Sequence, residues 1–103
     1  MILAVKAYEG LFPDRKIERA LSVYYTDRFR DYNANVRYTK EKMEFRLSRK
    51  WKSVSEEIQI GLIQSLLCKV FRAKNKTLAM ELYDQYLKNL SEYSPVTKLD
   101  PEL

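Results

Sequence analysis

The side chains that usually perform catalysis are scarce in this sequence. There is no histidine and a single cysteine, Cys68. Nucleophilic chemistry with an imidazole base is therefore excluded, as is an intrachain disulfide. A structural zinc site, normally built from Cys and His, lacks its ligands. Cys68 lies in an apolar run beside Leu67 and near Phe71, and reads as a packed core thiol acting as a small hydrophobe. The adjacent carboxylates Glu56 and Glu57 resemble an acid/base pair, but at a helix start, capping and the helix dipole account for them. The two glycines, Gly10 and Gly61, stand far apart, so no glycine-rich phosphate loop exists. On these grounds we expect no catalytic residues, no metal ligands and no cofactor.

Charge is the second chemical feature. Between Arg28 and Lys52 stand nine basic residues (Arg28, Arg30, Arg37, Lys40, Lys42, Arg46, Arg49, Lys50, Lys52) against three acids (Asp31, Glu41, Glu44), in a chain whose net charge is +5. The rest of the chain is close to neutral. Arg37, Lys42, Arg46, Arg49, Lys50 and Lys52, with Trp51 among the last three, form a candidate interaction surface. Cations interleaved with aromatics suit single-stranded nucleic acid, through stacking and phosphate contact. The competing reading is a solvated face whose acids pair across strands, with Trp51 and the tyrosines in the core.

These residues must be positioned by a small set of elements. Nearly half of the 103 residues are hydrophobic and about a third are charged, the balance of a globular domain with a real core. The opening MILAV is too short for a signal-peptide core or a membrane span, and we expect a cytoplasmic protein. Residues 1–12 read as a short helix or strand ending at Gly10 and Pro13. From Asp14, taken as an N-cap, Ile17, Ala20, Leu21 and Tyr24 have helical spacing; Leu21, Val23 and Tyr25 also fit a strand. Residues 27–35 read as turns. Alternation over Ala34, Val36, Tyr38 and again over Met43, Phe45, Leu47 predicts a β-hairpin over about 34–48. Ser53 with Glu56 fits a capping box for a helix whose stripe is Ile58, Leu62, Ile63, Leu66, Leu67, Val70 and Phe71. Asn75 or Thr77 caps a further helix from Leu78 to Leu90, with Leu82, Tyr83, Tyr86, Leu87 and Leu90 on its apolar face. The expected fold is α+β: a small antiparallel sheet, with a third strand over 21–25 left open, packed on two to three helices. Residues 1–92 are expected to form one domain and 93–103 a polar tail or linker.

The hairpin and helix, MEFRLSRKWKSV followed by EEIQIGLIQSLLCKVF, resemble the core of small SprT-like zinc peptidases, the minigluzincins. In that family a strand leads into a helix carrying His-Glu-x-x-His, with a Glu ligand on the next helix. On this chain the motif falls on Gln64-Ser65-Leu66-Leu67-Cys68, so Gln64 and Cys68 hold the ligand positions and Ser65 that of the base. Glu81 is the candidate third position. The resemblance thus implies the fold without the activity, a pseudoenzyme in which Gln64, Ser65 and Cys68 are vestigial. RFRDYNANVRY, LSRKWKSVSEEIQIGLIQSLLCKVF and LYDQYLKNL also resemble longer archaeal proteins, in which a second, similar half carries an intact His-Glu-x-x-His. By that resemblance the chain is an N-terminal half. Its work would be to engage a catalytic half or another protein, with nucleic acid as the alternative partner.

Overall fold

The computed structural model describes residues 2–29 and 31–93, with the backbone alone for 91–93. Of the tail expected over 93–103, Tyr93 belongs to the last helix, which runs past the expected end at Leu90, and 94–103 lie outside the described residues. Leu3, Ala4, Ala7, Tyr8 and Leu11 recur at helical spacing, and they form helix α1 (Leu3–Leu11), which buries Ala4, Ala7, Tyr8 and Leu11. The Phe12 amide closes it on the Tyr8 carbonyl at 2.8 Å, and Pro13 prevents continuation.

The helix expected from Asp14 does not form. Residues 13–19 are turn and irregular backbone, and strand β1 occupies Ala20–Thr26. Tertiary pairing outweighs the helical spacing. Leu21, Val23 and Tyr25 lie opposite Met43, Phe45 and Leu47 of strand β3 (Lys42–Ser48). The β-branched and aromatic run SVYYT favours that pleated surface over a helix.

Strand β2 (Ala34–Tyr38) completes a sheet of order β1-β3-β2. The hairpin β2–β3 is antiparallel as expected, but β1 runs parallel to β3, so the sheet is mixed rather than antiparallel. β3 is central: β2 takes one edge through a short turn, and β1 reaches the other only by a crossover that includes β2 itself. The turn lacks Asn-Gly and is organised by Thr39, whose hydroxyl accepts from the amides of Glu41 at 3.1 Å and Lys42 at 3.2 Å.

After β3 the chain makes a 3-10 turn, Arg49–Ser53, that carries Trp51 wholly into the core. This turn displaces the expected capping box. Ser53 donates to the Lys50 carbonyl at 3.3 Å instead, and helix α2 (Glu56–Phe71) starts at Ser55, which makes no side-chain cap. α2 buries Leu62, Ile63, Leu66 and Leu67 and ends at Arg72, in left-handed conformation with φ of 55°. Thr77 caps helix α3 (Leu78–Tyr93), its hydroxyl accepting from the Met80 amide at 3.1 Å. Asn75, the alternative cap, donates to the Leu11 carbonyl at 3.2 Å.

α3 lies across α2 at Gly61, where a Cβ would come within 2.0 Å of the Ala79 carbonyl oxygen. Only glycine permits that approach. The core lies between the helices and one face of the sheet, with Met43, Phe45, Leu47, Trp51, Ile63 and Leu67 fully buried. The chain is thus an α+β fold with its helices layered on one face of a small sheet.

Candidate functional site

Two places compete for a functional reading, the α2 positions and the uncovered face of the sheet. On α2, Gln64 is buried, its Nε2 donating to the Ala7 carbonyl at 3.0 Å and its Oε1 accepting from the Thr77 hydroxyl. Ser65 donates to the Leu62 carbonyl at 2.8 Å, a backbone bond within its own helix. Cys68 is half-buried, less enclosed than the expected core thiol, with Sγ 3.7 Å from the Asn75 carbonyl. Burial pushes its thiol up from the usual range, against a weaker opposing pull from Lys76.

Gln64 and Cys68, one turn apart, both turn towards the α2–α3 connection. Glu81 does not join them. Its exposed side chain lines a surface hollow with Asp84, Gln85 and Lys88 on the outer side of α3. The third position considered in the sequence is therefore not assembled. Among the described residues, no three His, Cys, Asp or Glu side chains gather as metal ligands would.

Strand alternation sends Met43, Phe45 and Leu47 inward and Lys42, Glu44 and Arg46 outward. The register sets Arg46 beside Tyr24 and Asn35, and Glu44 beside Ser22 and Arg37. No helix among the described residues packs on this side. Tyr24 is 52% exposed, and Arg37 and Lys42 are exposed as well.

The structure divides the six expected surface residues. Arg37, Lys42 and Arg46 share the outer face, where Lys42 pairs with Glu44 at 3.2 Å. Arg49, Lys50 and Lys52 lie on the 3-10 turn and make local contacts. Arg49 holds Asp27 at 2.8 Å, Lys50 approaches Asp31 at 3.6 Å and the Tyr32 ring at 5.7 Å, and Lys52 sits 5.7 Å from the centre of the Tyr25 ring.

Trp51 is no stacking platform. Its Nε1 donates to the Tyr32 carbonyl at 2.9 Å, and its ring is enclosed by Tyr32, Tyr83 and Tyr86. Tyr24, which was not singled out in the sequence, is the aromatic that the sheet presents outward. The signal for it was the alternation of 21–25: once Leu21, Val23 and Tyr25 face inward, Tyr24 must face out.

Compared with protein-family models, with curated proteins and with solved structures, the chain matches none of them. No helix of the described residues is long and apolar enough to cross a membrane.

Proposed function

We propose that the chain is a non-catalytic, metallopeptidase-like domain that works as a protein-interaction module, with the outer face of the sheet as its contact surface. The observation that carries this reading is the contrast between the two candidate places. Gln64, Ser65 and Cys68 direct their polar atoms to carbonyls and a hydroxyl of this chain, whereas Tyr24, Arg37 and Arg46 stand on an uncovered face. An amide, a hydroxyl and one half-buried thiol supply neither a zinc ligand set nor a general base. An exposed tyrosine with Arg46 beside it, and Arg37 further across the same face, has the composition of an interface anchor, a large rigid ring with charged donors nearby. The partner that fits is an acidic protein surface, a second half of a longer chain being one instance.

A second reading, single-stranded nucleic acid across the same face, is favoured by the register of Tyr24 beside Arg46. The first is preferred because Trp51 is buried, leaving Tyr24 as the aromatic described on this face, whereas single-stranded nucleic acid stacks successive bases on several rings. Both parts can be tested on purified protein. After incubation with zinc and dialysis, metal analysis is expected to find far less than one zinc per chain; one per chain, lost on Cys68→Ser, would contradict the non-catalytic reading. Fluorescence anisotropy with a labelled single-stranded oligonucleotide decides the second reading: a signal that rises at low salt and collapses as salt is added supports it, and a flat one removes it.

A further inference from the structure

At the end of the sheet where α1 and α2 finish, the irregular segment 13–19 borders a cavity of about 210 Å³. It is lined by Tyr8, Ile17, Leu21, Met43 and Phe71 together with Arg15, Lys16, Glu18 and Arg19. Its apolar wall is continuous with the core, but its rim carries three cations and one acid.

The two arginines are held by aromatic rings. The Arg15 guanidinium lies 4.5 Å from the centre of the Phe12 ring and 5.2 Å from that of Phe71. Arg19 lies 5.6 Å from Phe71 and 5.9 Å from Tyr38. Neither they nor Lys16 forms an ion pair among the described residues. Arg19 Nη1 is in addition buried without a hydrogen-bond acceptor there, a state that native proteins rarely tolerate.

Stacking engages the faces of a guanidinium and leaves its planar fork of N–H groups for an oxyanion. Arg15 is exposed and Arg19 half-buried, so the cost falls on the enclosed end of Arg19, whose Nη1 lacks an acceptor, and an anion held by that guanidinium offsets it. We infer that this cavity is a binding site for a small organic anion, whose phosphate or carboxylate pairs with Arg19 and Arg15 while its apolar body lies against Ile17, Leu21 and Phe71. The site is separate from the sheet face and does not depend on the function proposed for it.

The test is a titration of the whole chain, followed by amide chemical shifts, with phenyl phosphate, benzoate and phenol. Saturable shifts centred on residues 15–21 and Phe71 are expected with one or both anions and not with phenol, and the tighter anion identifies the ligand class. Arg19→Gln is expected to weaken that binding about tenfold or more, the loss of one charge-assisted bond, while Arg46→Glu leaves it unchanged. If Arg19→Gln does not fold, Arg15→Gln reads the same contact from the other side of Phe71. Binding of phenol equal to that of the anions, shifts centred elsewhere, no saturation with either anion, or anion binding indifferent to the arginine substitutions would overturn the proposal.

Discussion

The Gln64 side chain donates to the Ala7 carbonyl of α1 at 3.0 Å while accepting from Thr77 at the start of α3. One buried amide thereby ties three helices together. Its two ends are a donor and an acceptor, and each meets its complement, so the residue is matched to this strut by type as well as by size. Replacing it with leucine takes the second donor from the Ala7 carbonyl and the acceptor from the Thr77 hydroxyl, and leaves the two helices without their polar tie to α2. The expected loss is about 2 kcal/mol, read as a lower urea midpoint with unchanged slope. Gln64→Glu, which keeps the acceptor but loses the donor, should also destabilise at neutral pH.

Gly61 gives a prediction in which two effects oppose each other. Helix propensity alone favours alanine over glycine in a helix interior by about 1 kcal/mol. The new Cβ, however, would lie 2.0 Å from the Ala79 carbonyl oxygen, and backbone cannot step aside as a flexible side chain can. Sterics should win: Gly61→Ala is expected to lower stability by about 2 kcal/mol net, in the range of overpacked cores. Gly10→Ala, which meets Gln64 Nε2 at 2.9 Å, should act in the same direction more weakly. Thermal unfolding of both variants checks the order.

The tyrosines make the fold sensitive to alkali. Burial, reinforced by hydrogen bonding to Tyr32, pushes Tyr86 up to about 12, and burial also raises Tyr25 and Tyr83 above the usual 10. Between pH 10 and 12 the unfolded chain therefore holds fewer protons at these positions than the folded one. Stability must fall as pH rises through that window and is fully present below it. Tyrosinate absorbance followed with far-UV circular dichroism should show these residues ionising together with unfolding. In Tyr86→Phe the alkaline loss should be shallower.

Cys68 should behave as a shielded thiol. It is half-buried, and its ionisation is displaced upward by burial, so alkylation of the native protein near neutral pH should be slow and should accelerate on denaturation. Rapid native alkylation would place the thiol in a more electropositive, open setting than α2 provides.

Much of this architecture was legible in the sequence, and the misreadings share a physical cause. The hairpin and both long helices declare themselves through period, since Met43, Phe45 and Leu47 or Leu62, Ile63, Leu66 and Leu67 have no other way to reach one core. β1 was ambiguous because Ala20, Leu21 and Tyr24 fit a helix as well as Leu21, Val23 and Tyr25 fit a strand. Long-range pairing to Met43, Phe45 and Leu47 decides it. The capping box failed for a similar reason: burial of Trp51 rewrites the backbone of 49–53, and no local signal at Ser53 reports a distant tyrosine cluster. Of the candidate surface, Arg37, Lys42 and Arg46 could be placed on one face by parity alone. The partners of Arg49 and Lys50, namely Asp27 and Asp31, lie across a turn whose geometry was not readable. The cavity at Arg15 and Arg19 was hidden by the helix expected from Asp14.

The sheet-face substitutions offer a control that the helix substitutions do not. Beyond the strand ladder, the side chains of Tyr24 and Arg46 make no hydrogen bond or ion pair among the described residues, and Tyr24→Ala with Arg46→Glu should shift stability by only about 0.5 kcal/mol. A larger loss would mean that the face has a structural role, and would undercut its use as a contact surface.

The most direct test of the interaction reading is affinity capture from nuclease-treated lysate of the source cells. Wild type is compared with the Tyr24→Ala/Arg37→Glu/Arg46→Glu variant after both are shown to unfold at the same temperature. The account predicts a protein that wild type retains in the presence of nuclease and that the variant does not. Equal retention by both chains, or complexes that disappear with nuclease, would contradict it.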